Sequence, residues 1–148
     1  MNRFFSKRWT ARFLLFIVLF LTCMTGTAWT DYDAGVRAAE EGNTGLALAE
    51  FLSAAEQGDA EAQYRLGLMY DKGQGISRDL KEAFRWYSLA AEKGHAEAEY
   101  SLGLMFYFGQ GVEQNYQEAI KWFRLAAKHG KADAAYLSGL TENACDYP

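Results

Sequence analysis

Two histidines, a recurring set of acids and two cysteines are the side chains in this sequence that could do chemistry. An imidazole becomes a metal ligand or a general base when another histidine, a thiol or a carboxylate stands beside it in the right geometry. His95 and His129 have no such companion at ligand spacing. His129 falls in the last turn of a helix, where partial positive charge complements the dipole, and His95 falls at a helix start. Glu61, Glu97 and Asp133 recur at one fixed interval at the starts of helices, where a carboxylate favours the first turn; they do not read as a paired acid and base. Gly73-Gln74-Gly75 lacks the lysine and the strand of a phosphate loop, and no nucleophile motif is present. No catalytic residue, cofactor or metal is expected.

These residues are positioned by a repeat. Tyr64-Arg65-Leu66-Gly67-Leu68-Met69 returns 36 residues later as Tyr100-Ser101-Leu102-Gly103-Leu104-Met105, and a looser copy places Tyr136, Gly139 and Leu140 in register. The same shift carries Gly73-Gln74-Gly75 onto Gly109-Gln110-Gly111, Trp86-Tyr87 onto Trp122-Phe123, and Ala90-Ala91 onto Ala126-Ala127. A period in the mid-thirties marks a helical solenoid, in which each unit buries its apolar face only against its neighbours.

Each unit divides into two helices with legible ends. Asp59 caps a helix running to about Lys72, Gly73 ends it, and Asp79 with Glu82 forms a capping box for a second helix that stops at Gly94. Asn115 with Glu118 repeats the box, and Gly130 is the stop. An earlier second-type helix runs from Asn43 to Gln57, joined through Gly42 alone to a first helix from about Tyr32 to Glu41, and a last first-type helix spans about Ala132 to Glu142. The expectation is an all-α, right-handed superhelical αα-solenoid of about three repeats and seven helices. Gly67, Gly103 and Gly139 sit mid-helix, where glycine costs about 1 kcal/mol relative to alanine, so close approach of a facing helix is expected at all three.

The leading segment has a different character. Arg3, Lys7, Arg8 and Arg12 precede an apolar run from Phe13 to Leu21, and Gly26-Thr27-Ala28 supplies small residues for cleavage. That order predicts a secretory signal peptide over 1–28, an αα-repeat domain over 29–142 and a short tail over 143–148. The protein is therefore expected to be exported, periplasmic or secreted, with anchoring in the inner membrane by an uncleaved segment as the alternative. Cleavage removes four of 15 basic residues, leaving 11 against 19 acids, a net charge of −8 that argues against nucleic-acid partners. It also leaves Cys145 as a lone thiol, either idle or able to pair with another chain.

The repeated residues resemble the Sel-1-like repeat, a tetratricopeptide-type αα-repeat. Its pattern is met by Ala62, Tyr64, Leu66, Gly67 and Tyr70, then Gly73 and Gly75, Asp79, Ala83, Trp86, Tyr87, Ala90, Ala91, Glu92 and Gly94. The second unit departs from it at Phe106, Asn115 and Lys128. The resemblance covers about Asp31 to Leu140 and implies an adaptor or scaffold for protein complexes, often in the bacterial envelope. One branch of the family carries a cysteine pair in every repeat; this chain does not, so that branch's activities are not implied.

Residues required for stacking recur every period, so selectivity is expected where the units differ. Arg65, Glu99 and Ser101 stand at such positions, and Tyr107 and Phe108 replace Asp71 and Lys72. With Met69 and Met105 as adaptable neighbours, these seven residues form the expected partner-binding set. Tyr107 and Phe108 either pack under the loop or offer an aromatic patch. The expected function is non-catalytic capture of a protein or peptide. A cell-wall-directed hydrolase of the envelope and a structural, self-associating repeat module are the alternatives.

Overall fold

Asn43, Asp59, Asp79 and Asn115 each cap a helix, accepting a hydrogen bond from a first-turn backbone N–H. The computed structural model describes residues 28–145, with side-chain surroundings for 31–142; of the expected signal segment 1–28, all but Ala28 lies outside the described residues. Seven helices follow: α1 Ala28–Glu40, α2 Thr44–Glu56, α3 Ala60–Lys72, α4 Leu80–Ala91, α5 Ala96–Phe108, α6 Tyr116–Lys128 and α7 Ala132–Cys145. Each packs mainly on the helices before and after it in sequence, the pattern of an αα-solenoid. Among the described residues there is no strand, and no helix is long and apolar enough to cross a membrane.

Three details differ from the sequence expectation. Helix α1 begins four residues before Tyr32, and α7 continues past Glu142 to Cys145. The capping boxes are only half made. Asp79 and Asn115 accept from the backbone of Glu82 and Glu118, but their own N–H groups donate to the carbonyls of Tyr70 and Phe106. With that donor satisfied, the glutamates turn to Arg85 and Lys121 instead.

The core is built from alanines facing aromatics. Ala83, Ala90, Ala119 and Ala126 are fully buried, and Tyr87 and Phe123 lie between them. A methyl placed on Gly67 would stand 2.4 Å from the Tyr87 ring, one on Gly103 2.4 Å from Phe123, and one on Gly35 2.6 Å from Phe51. Glycine at these positions lets the facing ring lie on the helix backbone. Gly139 differs from the expectation: nothing lies within 4 Å of a methyl placed there, because no helix covers that face of α7 among the described residues.

Candidate partner-binding groove

The junctions between units are locked by side chains that recur with the repeat. Glu61, in the first turn of α3, receives hydrogen bonds from Tyr32 of α1 at 3.3 Å and Arg65 at 3.1 Å, and meets His95 Nε2 at 2.8 Å. His95 Nδ1 accepts from the Ala98 N–H as the cap of α5, so the geometry assigns the ring proton to Nε2, which donates to Glu61. One period on, Glu97 meets Lys131 at 2.8 Å. His95 stacks on Tyr64 at 4.7 Å, and Lys131 stands over Tyr100 at 5.2 Å. Burial pushes the Glu61 carboxyl up, but the hydrogen bond from His95, with the charge and hydrogen bond of Arg65, outweighs it and holds the group below its ordinary value. The histidine and the first-turn acids thus tie consecutive units together.

Beside this seam opens a groove of about 610 Å³. Val36, Ala39 and Glu40 of α1 form one wall, and Arg65 and Leu68 of α3 form the other. Ala47, Phe51 and Met69, all buried, make an apolar floor, and Thr44 and Gln74 complete the lining. Aligned on the buried glycines Gly35, Gly67 and Gly103, Ala39 is the counterpart of Asp71 and Tyr107. An exposed methyl stands where later units carry a carboxylate or a ring. The later positions are filled: Asp71 pairs with Arg78 at 3.7 Å, and Tyr107 packs on Tyr116 with centroids 5.3 Å apart. The small side chain of Ala39 keeps the first junction open.

The seven residues expected to bind a partner divide among four surroundings. Arg65 and Met69 come together in the groove, Arg65 exposed at its rim and Met69 a buried core residue in its floor. Glu99 is a correction: its carboxylate is buried, and both oxygens lie 2.8–2.9 Å from His129 Nδ1 at the end of α6. It replaces Gln63, whose amide donates to the Ala55 carbonyl at the same level of the stack, so the difference between units exchanges one buried tether for another. Met105 is likewise core, packed with Tyr87 and Leu102. Ser101 is half-buried and donates to the Glu97 carbonyl. The phenol of Tyr87, pushed up first by burial and then by the Asp71 carboxylate, interacts with this hydroxyl.

Tyr107 and Phe108 part company. Tyr107 is half-buried against the third core cluster, whereas Phe108 is 60% exposed and touches Tyr107 edge to face at 4.9 Å. Sequence reasoning missed Val36, Ala39, Glu40, Thr44, Ala47, Phe51, Leu68 and Gln74 as groove residues. The available signal was the short connection through Gly42, which brings α1 and α2 together without the longer loop of later units.

A stack of antiparallel helix pairs with recurring interunit ties and an open groove defines a helical-repeat protein. The Sel1 repeat model matches residues 60–95 and 96–131, so the chain carries two Sel1 repeats. It is similar to a Sel1 repeat protein from Oxalobacter formigenes, with 37% identity and a TM-score of 0.75 over 81% of this chain and 53% of that one. A protective antigen of uropathogenic Escherichia coli with an SLR fold matches at 30% identity and a TM-score of 0.73, over 82% of this chain and 27% of that one. Helicobacter pylori cysteine rich protein B matches at 28% identity and a TM-score of 0.62, over 64% of this chain and 71% of that one. The chain thus spans about half and about a quarter of the first two. No curated protein matches it.

Proposed function

We propose that this protein is a non-catalytic adaptor of the bacterial cell envelope that holds a peptide segment of another protein in the groove between α1, α2 and α3. The observation that carries the reading is the open, apolar-floored groove flanked by Arg65 and Glu40, kept clear by Ala39. A floor of Phe51 and Met69 suits apolar side chains, and the two rim charges can fix the direction of a bound segment. Helical-repeat proteins commonly use such extended surfaces for partner capture. Export to the periplasm belongs to the same proposal and rests on the basic, apolar and small-residue order of residues 1–28.

Photo-crosslinking in cells tests it. A photoreactive phenylalanine at Ala39 should give a discrete adduct with another polypeptide, identifiable by mass spectrometry. The same group at exposed Lys81, outside the groove, should not. Equal adducts from the two positions would contradict the groove assignment. Amino-terminal sequencing of the same product should begin at Trp29 if the segment is cleaved after Ala28.

A further inference from the structure

The chain repeats two short helical patterns unequal numbers of times. Ala-x-x-x-Tyr-x-x-Gly occurs four times, as Ala28-Tyr32-Gly35, Ala60-Tyr64-Gly67, Ala96-Tyr100-Gly103 and Ala132-Tyr136-Gly139. Ala-x-x-x-Phe/Tyr-x-x-Ala occurs three times, as Ala47-Phe51-Ala54, Ala83-Tyr87-Ala90 and Ala119-Phe123-Ala126. Each of the three aromatics lies on the glycine of the preceding helix, and each makes a ring pair with that helix's tyrosine. Tyr32–Phe51, Tyr64–Tyr87 and Tyr100–Phe123 all have centroids 5.8 Å apart. The first pattern is a socket and the second its plug. The fourth socket, on α7, is open among the described residues: nothing there lies within 4 Å of a methyl placed on Gly139, Tyr136 is 70% exposed and Leu140 is 46% exposed.

We propose that this face of α7 docks an amphipathic helix of a partner protein carrying alanine, an aromatic four residues later and a second alanine three residues beyond that. The three filled sockets set the chemistry of the occupant, because the open face continues the interface that α1, α3 and α5 already make. Charge adds a further element. His95 lies eight residues after Tyr87 and Lys131 eight after Phe123, and each reaches the first-turn acid and the tyrosine of the preceding socket. At the fourth socket those acceptors are the exposed Asp133 and Tyr136, so the partner helix carries a histidine or lysine eight residues past its aromatic. A second copy of this chain is a poor occupant, since Phe51, Tyr87 and Phe123 are all buried in their own sockets. Exposed apolar surface on a helix that elsewhere in the repeat is covered is the expected mark of such an interface.

The probe is a lactam-stapled peptide of residues 115–131, which carries Ala119, Phe123, Ala126 and Lys131. Titrated with the full chain by fluorescence anisotropy, it should bind saturably. Binding should weaken at least about tenfold for the Phe123→Ala peptide, as for the loss of an aromatic anchor. It should weaken equally for the Gly139→Leu protein, whose new side chain fills the socket, and remain unchanged for Ala39→Tyr in the groove. Gly139→Leu should melt no lower than wild type, since no neighbour is displaced. Undiminished binding by Gly139→Leu, or no binding up to about millimolar peptide, overturns the proposal. So does a wild-type dimer in sedimentation that Gly139→Leu abolishes, which would give the face to a second copy.

Discussion

Gly103 and Phe123 meet so closely that a single methyl added to the glycine would stand 2.4 Å from the ring. The ring is 1% exposed and has no room to withdraw. Gly103→Leu should therefore drive α5 and α6 apart and cost at least a few kcal/mol through overpacking. Gly139→Ala makes the opposite comparison, because it meets nothing and removes a mid-helix glycine; it should raise stability by up to about 1 kcal/mol. Thermal melts of the two variants should move in opposite directions, and a wild-type melt for Gly103→Leu would defeat the close-approach account.

Glu61 gives the fold an acid-sensitive joint. Its carboxyl is held below its ordinary value in the folded protein. The stability it contributes is present above that ordinary value and is lost as pH falls through the lower, folded one. Its side chain is 38% exposed, so solvent screening limits the effect to about 1 kcal/mol or less. On acidification from about pH 5 to pH 3, wild type should lose more melting temperature than Glu61→Gln. Parallel curves for the two proteins would show that the Tyr32, Arg65 and His95 contacts contribute nothing through ionisation.

The adjacent aromatics of α5 should separate when each is replaced by alanine. Tyr107 packs on Tyr116 and the third core cluster, so Tyr107→Ala should lower the melting temperature. Phe108 is largely exposed, so Phe108→Ala should cost well under the about 3–5 kcal/mol of a buried ring. Circular dichroism melts on the pair provide the check; equal losses would mean that Phe108 is held as firmly as its neighbour.

Helix order, cap residues and the close contacts at Gly67 and Gly103 were legible in the sequence because they depend on local chemistry repeated in register, whereas Gly139 carries the same signal with no facing ring among the described residues. Asp59, Gly73 and Asn115 act where their types predict. The site was less legible. The change from Gln63 to Glu99 resembles surface variation, but the accompanying change from Lys93 to His129 supplies the buried carboxylate with its partner. That pairing joins residues 30 apart, and the periodic comparison alone does not show that they touch. The groove was hidden for a related reason. Its opening depends on one small residue, Ala39, in a leading unit whose connection is shorter, so the 36-residue shift does not align it with Asp71 and Tyr107.

The central claim is that the first junction holds a partner peptide, and Ala39→Tyr tests it most directly. Tyrosine at this exposed position puts a ring across the groove, as Tyr107 puts one against Tyr116 in register two units later. Wild type and variant should have equal melting temperatures. In quantitative pull-downs from envelope extract, the polypeptide crosslinked at position 39 should be depleted at least about tenfold by the variant, the loss expected when a central contact surface is blocked. Capture of that polypeptide at wild-type level by a folded Ala39→Tyr protein would contradict the account.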